Sequence, residues 1–231
     1  MEHYVELCRG AVSVLELGSG YGRMLRALAE PQRALFGLEL DPSLLALGKR
    51  TVAGLPAAAR GGVTLVQGDM QRIALGRRFE RVLLPYNALY CLLSARAVQR
   101  CFRAVRAALE PGGLFAFDVW NADHLVAAGL SPAGDERALT AFEHAGRRWV
   151  VTERCQRARG AERIDVTYTY APSGSGAQRS QSLRQRYYRS TELCALLGES
   201  GFALVSQHGS FAKARFDERA ARLVVVARAL P

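Results

Sequence analysis

Two apolar periods alternate along the first half of the chain, one of strands and one of helices. Val14-Leu15-Glu16-Leu17 reads as a short buried strand, and Met24-Leu25 with Leu28 starts a helix. Ala34–Leu38, Val63–Gln67, Phe79–Leu84 and Leu114–Val119 read as four further strands. Residues 94–109 form an amphipathic helix, with Ser94 as N-cap and Val98, Phe102, Val105 and Leu109 on one face. Glu110-Pro111-Gly112-Gly113 makes a tight turn before the fifth strand. From about residue 137 the pattern changes. Arg147–Glu153, Ile164–Tyr170 and Ser182–Tyr188 alternate like half-buried strands, separated by turns at Ala158-Arg159-Gly160-Ala161 and Pro172-Ser173-Gly174-Ser175-Gly176. Consecutive hairpins imply an antiparallel sheet. Beyond it, Ser190-Thr191-Glu192 opens a helix carrying Leu193, Leu196 and Leu197, and Phe202–Gln207 and Leu223–Arg228 finish the chain as strands. The expected fold is α/β: a doubly wound, Rossmann-like sheet of seven strands ending in an antiparallel hairpin, formed by 1–136 and 190–231. Residues 137–189 form an antiparallel β cap that leaves and rejoins the core at the ligand-bearing edge.

The chemistry starts between the first strand and first helix. Gly18-Ser19-Gly20-Tyr21-Gly22-Arg23 puts glycine at every second position, so a ligand can approach the backbone closely. The helix start offers free N–H groups to polar or anionic ligand groups. The spacing is G-x-G-x-G, neither the dinucleotide G-x-G-x-x-G nor a phosphate loop ending in Gly-Lys-Ser/Thr. The second strand ends at Glu39, about twenty residues past Gly18, where a doubly wound fold places the acid that binds ribose hydroxyls. A carboxylate accepts two hydrogen bonds from a vicinal diol. Asp41-Pro42 instead has the form of a helix N-cap and first helical residue. The third strand ends in Gly68-Asp69-Met70, whose carboxylate and N–H suit an adenine amino group and ring nitrogen.

With these segments in order, the chain resembles the class I S-adenosylmethionine-dependent methyltransferases, most closely their small-molecule N-methyltransferases. Residues 14–23, 37–41, 67–70 and 109–118 carry the resemblance. It implies S-adenosyl-L-methionine as cofactor and cofactor contacts at Glu16, Gly18, Ser19, Gly20, Arg23, Glu39, Leu40, Asp69, Met70 and Pro85. The four histidines and scattered cysteines lack ligand spacing, so no metal is expected. Glu16 is expected either to brace the glycine loop or to reach the methionine amino group.

The acceptor side lies past the fourth and fifth strands and in the cap. Tyr86, Asn87, Tyr90, Trp120, Asn121, Arg184 and Tyr188 are the expected substrate residues, with His124, Tyr86 and Tyr188 as candidate acid–base groups. Asp118, Asp123, Tyr187 and His208 are further titratable groups considered for that role. Leu84-Pro85-Tyr86-Asn87 lacks the first polar residue and one proline of the Asn/Asp-Pro-Pro-Tyr signature, which argues against a DNA adenine methyltransferase.

Composition narrows the class. At 231 residues and 49% hydrophobic, the chain has enough apolar material for one sizeable core. No apolar run approaches the roughly 20 residues of a membrane span. Five scattered cysteines lack metal or disulfide spacing and read as reduced thiols of a cytoplasmic protein. The net charge of +10 is carried almost wholly by dispersed arginine, which favours a small-molecule acceptor over nucleic acid. The charge keeps an RNA or protein methyltransferase as an alternative, and the absence of an obvious base keeps a non-catalytic cofactor-binding partner subunit. The expected activity is in-line methyl transfer to nitrogen, with oxygen or carbon as other acceptors, in natural-product biosynthesis. Only about thirteen residues precede the first strand, fewer than the helical lid of many small-molecule members. The cap alone, a second copy in a homodimer, or residues upstream of this chain would then cover the site.

Overall fold

The computed structural model describes residues 1–127, 135–157, 162–174 and 176–230. Strands β1 (Ser13–Leu17), β2 (Ala34–Glu39), β3 (Val63–Gln67), β4 (Phe79–Leu84), β5 (Leu109–Trp120), β10 (Phe202–His208) and β11 (Arg222–Ala229) form a seven-stranded sheet in the order β10-β11-β5-β4-β1-β2-β3. β3, β2, β1, β4 and β5 run parallel, while β11 and β10 are antiparallel. The order reverses between β1 and β4, so the crevice beyond their carboxyl ends is where a doubly wound sheet takes a ligand.

Helices cover both faces. α5 (Ala95–Ala108) and α7 (Ser190–Glu199) pack on one, burying Val98, Phe102, Val105, Leu193 and Leu197 against Phe115 and Phe117. The other face buries Tyr4 and Cys8, at and just beyond α1 (Glu2–Leu7), with Met24, Leu25 and Leu28 from α2 (Arg23–Leu28), over Val14, Leu35, Leu83 and Ala116. α3 (Pro42–Ala53) and the short α4 (Ala57–Arg60) follow β2. Both capping expectations hold: Asp41 Oδ1 accepts from the Ser43 and Leu44 N–H groups at 2.7 and 3.0 Å, and Ser94 Oγ from Ala97 N–H at 3.2 Å. Ser94→Ala is expected to lower stability by about 1 kcal/mol in urea melts, since one orphan N–H of α5 loses its partner.

After β5, α6 (Ala122–Ala127) leads to a second sheet of four antiparallel strands. Its strands are β6 (Asp135–His144), β7 (Arg147–Arg157), β8 (Arg163–Pro172) and β9 (Arg179–Arg186). The sequence pattern indicated only three of these. β6 escapes it because Leu139 and Phe142 are exposed on an edge strand, so its alternation is weak. The expected turn at 158–161 lies outside the described residues, as does Ser175 of the second turn. The Pro111–Gly113 turn is an irregularity within β5, where β4 pairing jumps from Phe79↔Leu109 to Arg81↔Leu114 and Gly112 has φ +75°. The second sheet is seated on the core through Ile164 and Val166, both buried in the cluster that contains Phe117 and Tyr188.

Candidate functional site

The glycine loop is built by three adjacent elements. Its Gly18 and Ser19 N–H groups donate to Leu38 O at 2.8 and 3.1 Å, which seats the loop on the end of β2. Gly20 has φ +53°, and its N–H donates to Glu39 Oε2 at 2.7 Å. The other oxygen of Glu39 accepts from Asp41 N–H at 2.9 Å. Gly48 of α3 packs beneath: a Cβ there would meet Gly20 O at 3.0 Å, so glycine is what lets the helix approach the loop.

Glu16 lies under the loop, 2% exposed. The nearby Leu25 N–H, in the first turn of α2, favours the ionised carboxylate. The Glu16 oxygen Oε2 is buried with no hydrogen-bond partner, as is Ser19 Oγ. Burial pushes the Glu16 carboxyl well above the usual range, with Arg23 pulling it back and Glu39 adding to the rise. The Arg23 guanidinium stacks over the Tyr86 ring at 4.1 Å.

The remaining predicted contacts fall around this corner. Leu40, just past β2, is 63% exposed. Asp69 is half-buried past the end of β3 and accepts from Gln71 N–H at 2.9 Å. Arg100 in turn donates to Gln71 Oε1 at 2.6 Å, which fixes that segment against α5. Met70 packs on the core. Pro85 is buried at the end of β4.

Tyr86 and Asn87 follow with φ +60° each, left-handed for two successive non-glycine residues. Tyr86 N–H donates to Asp118 Oδ1 at 2.9 Å, Asn87 N–H to Asp118 O at 3.1 Å, and Trp120 N–H to Asn87 Oδ1 at 2.7 Å. Asp118 was expected only as a candidate base. It is fully buried and also accepts from Tyr4 Oη at 2.5 Å and from Arg222 Nη1. Its lone pairs are committed to donors, which suits a brace and not a proton acceptor. Tyr4 and Arg222 were not read from the sequence as functional residues. The only local signal was the i, i+4 apolar pair Tyr4 and Cys8.

Four residues expected on the acceptor side have partners of their own or stand exposed. Tyr90 is buried and its hydroxyl donates to Trp120 O at 2.6 Å. Tyr188, also buried, donates to Leu92 O. Burial raises both phenols, so they stay protonated and serve as buried braces. Asn121 turns its amide to the Asp217 and Ala220 carbonyls at 3.1 and 2.8 Å and holds the loop before β11. Arg184 is exposed on β9, on the face opposite the buried Gln185. The inward turn of Ile164 and Val166 on β8 sets that parity. Trp120, the last residue of β5, is partly exposed. His124 is half-buried in α6, one residue past Asp123, which accepts from Ser190 Oγ at 3.0 Å.

Among the described residues, no cluster of His, Cys, Asp and Glu is arranged to hold a metal ion, and no helix is long and apolar enough to cross a membrane.

Residues 14–113 match the family model of a methyltransferase domain. The chain is 28% identical over 171 residues to a dTDP-3-amino-3,6-dideoxy-alpha-D-glucopyranose N,N-dimethyltransferase of Streptomyces fradiae, covering 72% of this chain and 60% of that protein. It is 27% identical over 172 residues to a dTDP-3-amino-3,4,6-trideoxy-alpha-D-glucopyranose N,N-dimethyltransferase of Streptomyces venezuelae, covering 73% and 65%. The match thus spans under two thirds of either relative's length. Among solved structures, the CcbJ methyltransferase from Streptomyces caelestis superposes with a TM-score of 0.83 at 27% identity, over 100% of this chain and 88% of that one. Residues 14–113 thus carry the match to a methyltransferase domain, and the 3-2-1-4-5 parallel order with its antiparallel hairpin is the fold shared with the CcbJ methyltransferase.

Proposed function

We propose that the chain methylates an amine nitrogen of a small molecule, with an amino sugar as the acceptor class, using S-adenosylmethionine. The observation that carries the cofactor reading is the buried, unpartnered Oε2 of Glu16 beside the glycine loop, a lone anionic acceptor suited to the ammonium of the methionine end. Ser19 Oγ offers a second unpartnered polar atom there. Glu39 retains lone pairs for the ribose diol, exposed Leu40 gives an apolar surface for the adenine, and Asp69 and Met70 N–H suit its edge. The acceptor class is supported by the two amino-sugar N,N-dimethyltransferases that the chain resembles.

When bound, the cofactor supplies a methyl group activated on a sulfonium. The chain must align the acceptor nitrogen with that methyl, exclude water and leave the nitrogen neutral. Burial raises the Tyr86 phenol, so it remains a hydroxyl at neutral pH and orients without taking the proton. His124, half-buried in α6 beyond β5, is the imidazole we propose to receive it.

Isothermal calorimetry with S-adenosylmethionine and S-adenosylhomocysteine tests the cofactor reading, and loss of binding to both overturns it. Turnover of dTDP-amino sugars by the purified chain tests the acceptor class and excludes a merely non-catalytic partner.

A pH dependence follows from Glu16. Ammonium binding selects its ionised form, so in the window from the ordinary carboxylate range up to its raised value, binding expels a proton. Cofactor affinity is expected to rise with pH across that window by up to about tenfold per unit. The free protein's stability runs the other way, because the folded state holds a proton the unfolded chain has released. Calorimetry from acid to neutral pH reads the first slope, and a flat profile removes Glu16 from the site.

A further inference from the structure

Asp118 does not look like a group placed for stability alone. It is a fully buried carboxylate on the interior strand β5, and its donors come from the amino-terminal helix (Tyr4), the start of the last strand (Arg222) and the loop after β4 (Tyr86). That loop is the strained part: two successive side-chain-bearing residues at φ +60° persist only where the surroundings over-determine them. Here side-chain and backbone oxygens of one residue bind both strained N–H groups, and Asn87 Oδ1 closes the third bond on Trp120. The immediate product of the strain is the direction of the Tyr86 side chain. Its ring lies under the Arg23 guanidinium, at the first residue of α2 and next to Glu16.

We infer that Asp118, braced by Arg222 and Tyr4, is a positioning residue for the methionine end of the cofactor. It holds Tyr86 left-handed, the Tyr86 ring supports Arg23, and Arg23 meets the methionine carboxylate. The inference rests on the cofactor reading above, and it separates this acid from the strand-end acids that touch ligand directly. Arg222 is only partly exposed and itself packs over the Phe211 ring at 5.2 Å, so the carboxylate's own partner is fixed from behind.

Two ligands distinguish this from general loosening. S-adenosylhomocysteine carries the methionine-derived carboxylate, and 5′-methylthioadenosine lacks it. In calorimetry, Asp118→Asn is expected to weaken S-adenosylhomocysteine binding about tenfold while changing 5′-methylthioadenosine binding by less than about twofold. Equal losses on both ligands overturn the inference, and so does unchanged S-adenosylhomocysteine affinity in a folded variant. If Asp118→Asn does not fold, Arg222→Gln decides, with an expected loss of about threefold confined to S-adenosylhomocysteine. No change there overturns the inference. Failure of the unsubstituted protein to bind either ligand overturns the cofactor reading itself, and this inference with it.

Discussion

Glu39→Ala is expected to weaken S-adenosylhomocysteine binding by about 1–3 kcal/mol, roughly fivefold to more than a hundredfold. The carboxylate stands at the end of β2 with two duties. It holds the Gly20 and Asp41 N–H groups at 2.7 and 2.9 Å, and its remaining lone pairs face the proposed ribose. Alanine removes both, so the loss combines charge-assisted bonds to the sugar with a loosened glycine loop. Glu39→Gln separates them. Its amide oxygen can keep one backbone N–H, but the charge is gone and only one acceptor atom remains, so its affinity should fall between wild type and Glu39→Ala. Calorimetry on the three proteins gives the ranking. Wild-type affinity in Glu39→Ala would mean that the ribose is held elsewhere.

The largest effect on stability is expected at Arg33. This side chain is 4% exposed and forks onto three backbone carbonyls: Ala11 O at 2.9 Å through Nε, Leu28 O at 2.7 Å through Nη1 and Cys8 O at 2.7 Å through Nη2. It thereby ties the end of α1, the entry to β1 and the end of α2 to the start of β2. Arg33→Ala strands the carbonyls and leaves a void, for an expected loss of about 3–5 kcal/mol. Lysine has no planar fork and cannot serve three divergent acceptors, so Arg33→Lys should lose a large part of that. Glu30, the acid paired with Arg33 at 2.9 Å, is 57% exposed, and Glu30→Ala should cost below about 1 kcal/mol. Urea denaturation reads all three, and a loss under 1 kcal/mol in Arg33→Ala would refute the pinning argument.

These two residues mark what the sequence makes legible. The placement of Glu39 beside the glycine loop is readable because its signal is local: an apolar strand, its last residue, and a glycine turn at a fixed distance upstream. Asp41 and Ser94 are readable for the same reason, since a cap and the N–H groups it serves lie within three residues. Arg33 offers no such signal. Its partners lie 5, 22 and 25 residues away and meet only once two helices and two strands are assembled. The partners of Tyr90 and Tyr188 are hidden for a related reason. An aromatic past a strand end suggests a ligand wall, but each hydroxyl is taken by a carbonyl that is distant in sequence. The face of β9 that Arg184 occupies is not legible in the sequence, because a one-residue difference in register decides which residues look inward.

The clasp between Asp123 and Ser190 bears on how such a chain could acquire new acceptors. Asp123 Oδ2 accepts from Ser190 Oγ at 3.0 Å, so the insertion departs and returns at one point. Closing a loop costs little more as it lengthens, about 0.6 kcal/mol per doubling. The intervening sheet could therefore grow, shrink or be exchanged over evolutionary time with little entropic penalty. The donor corner, built from residues 14–70 on the far side of that junction, would not need to change with it.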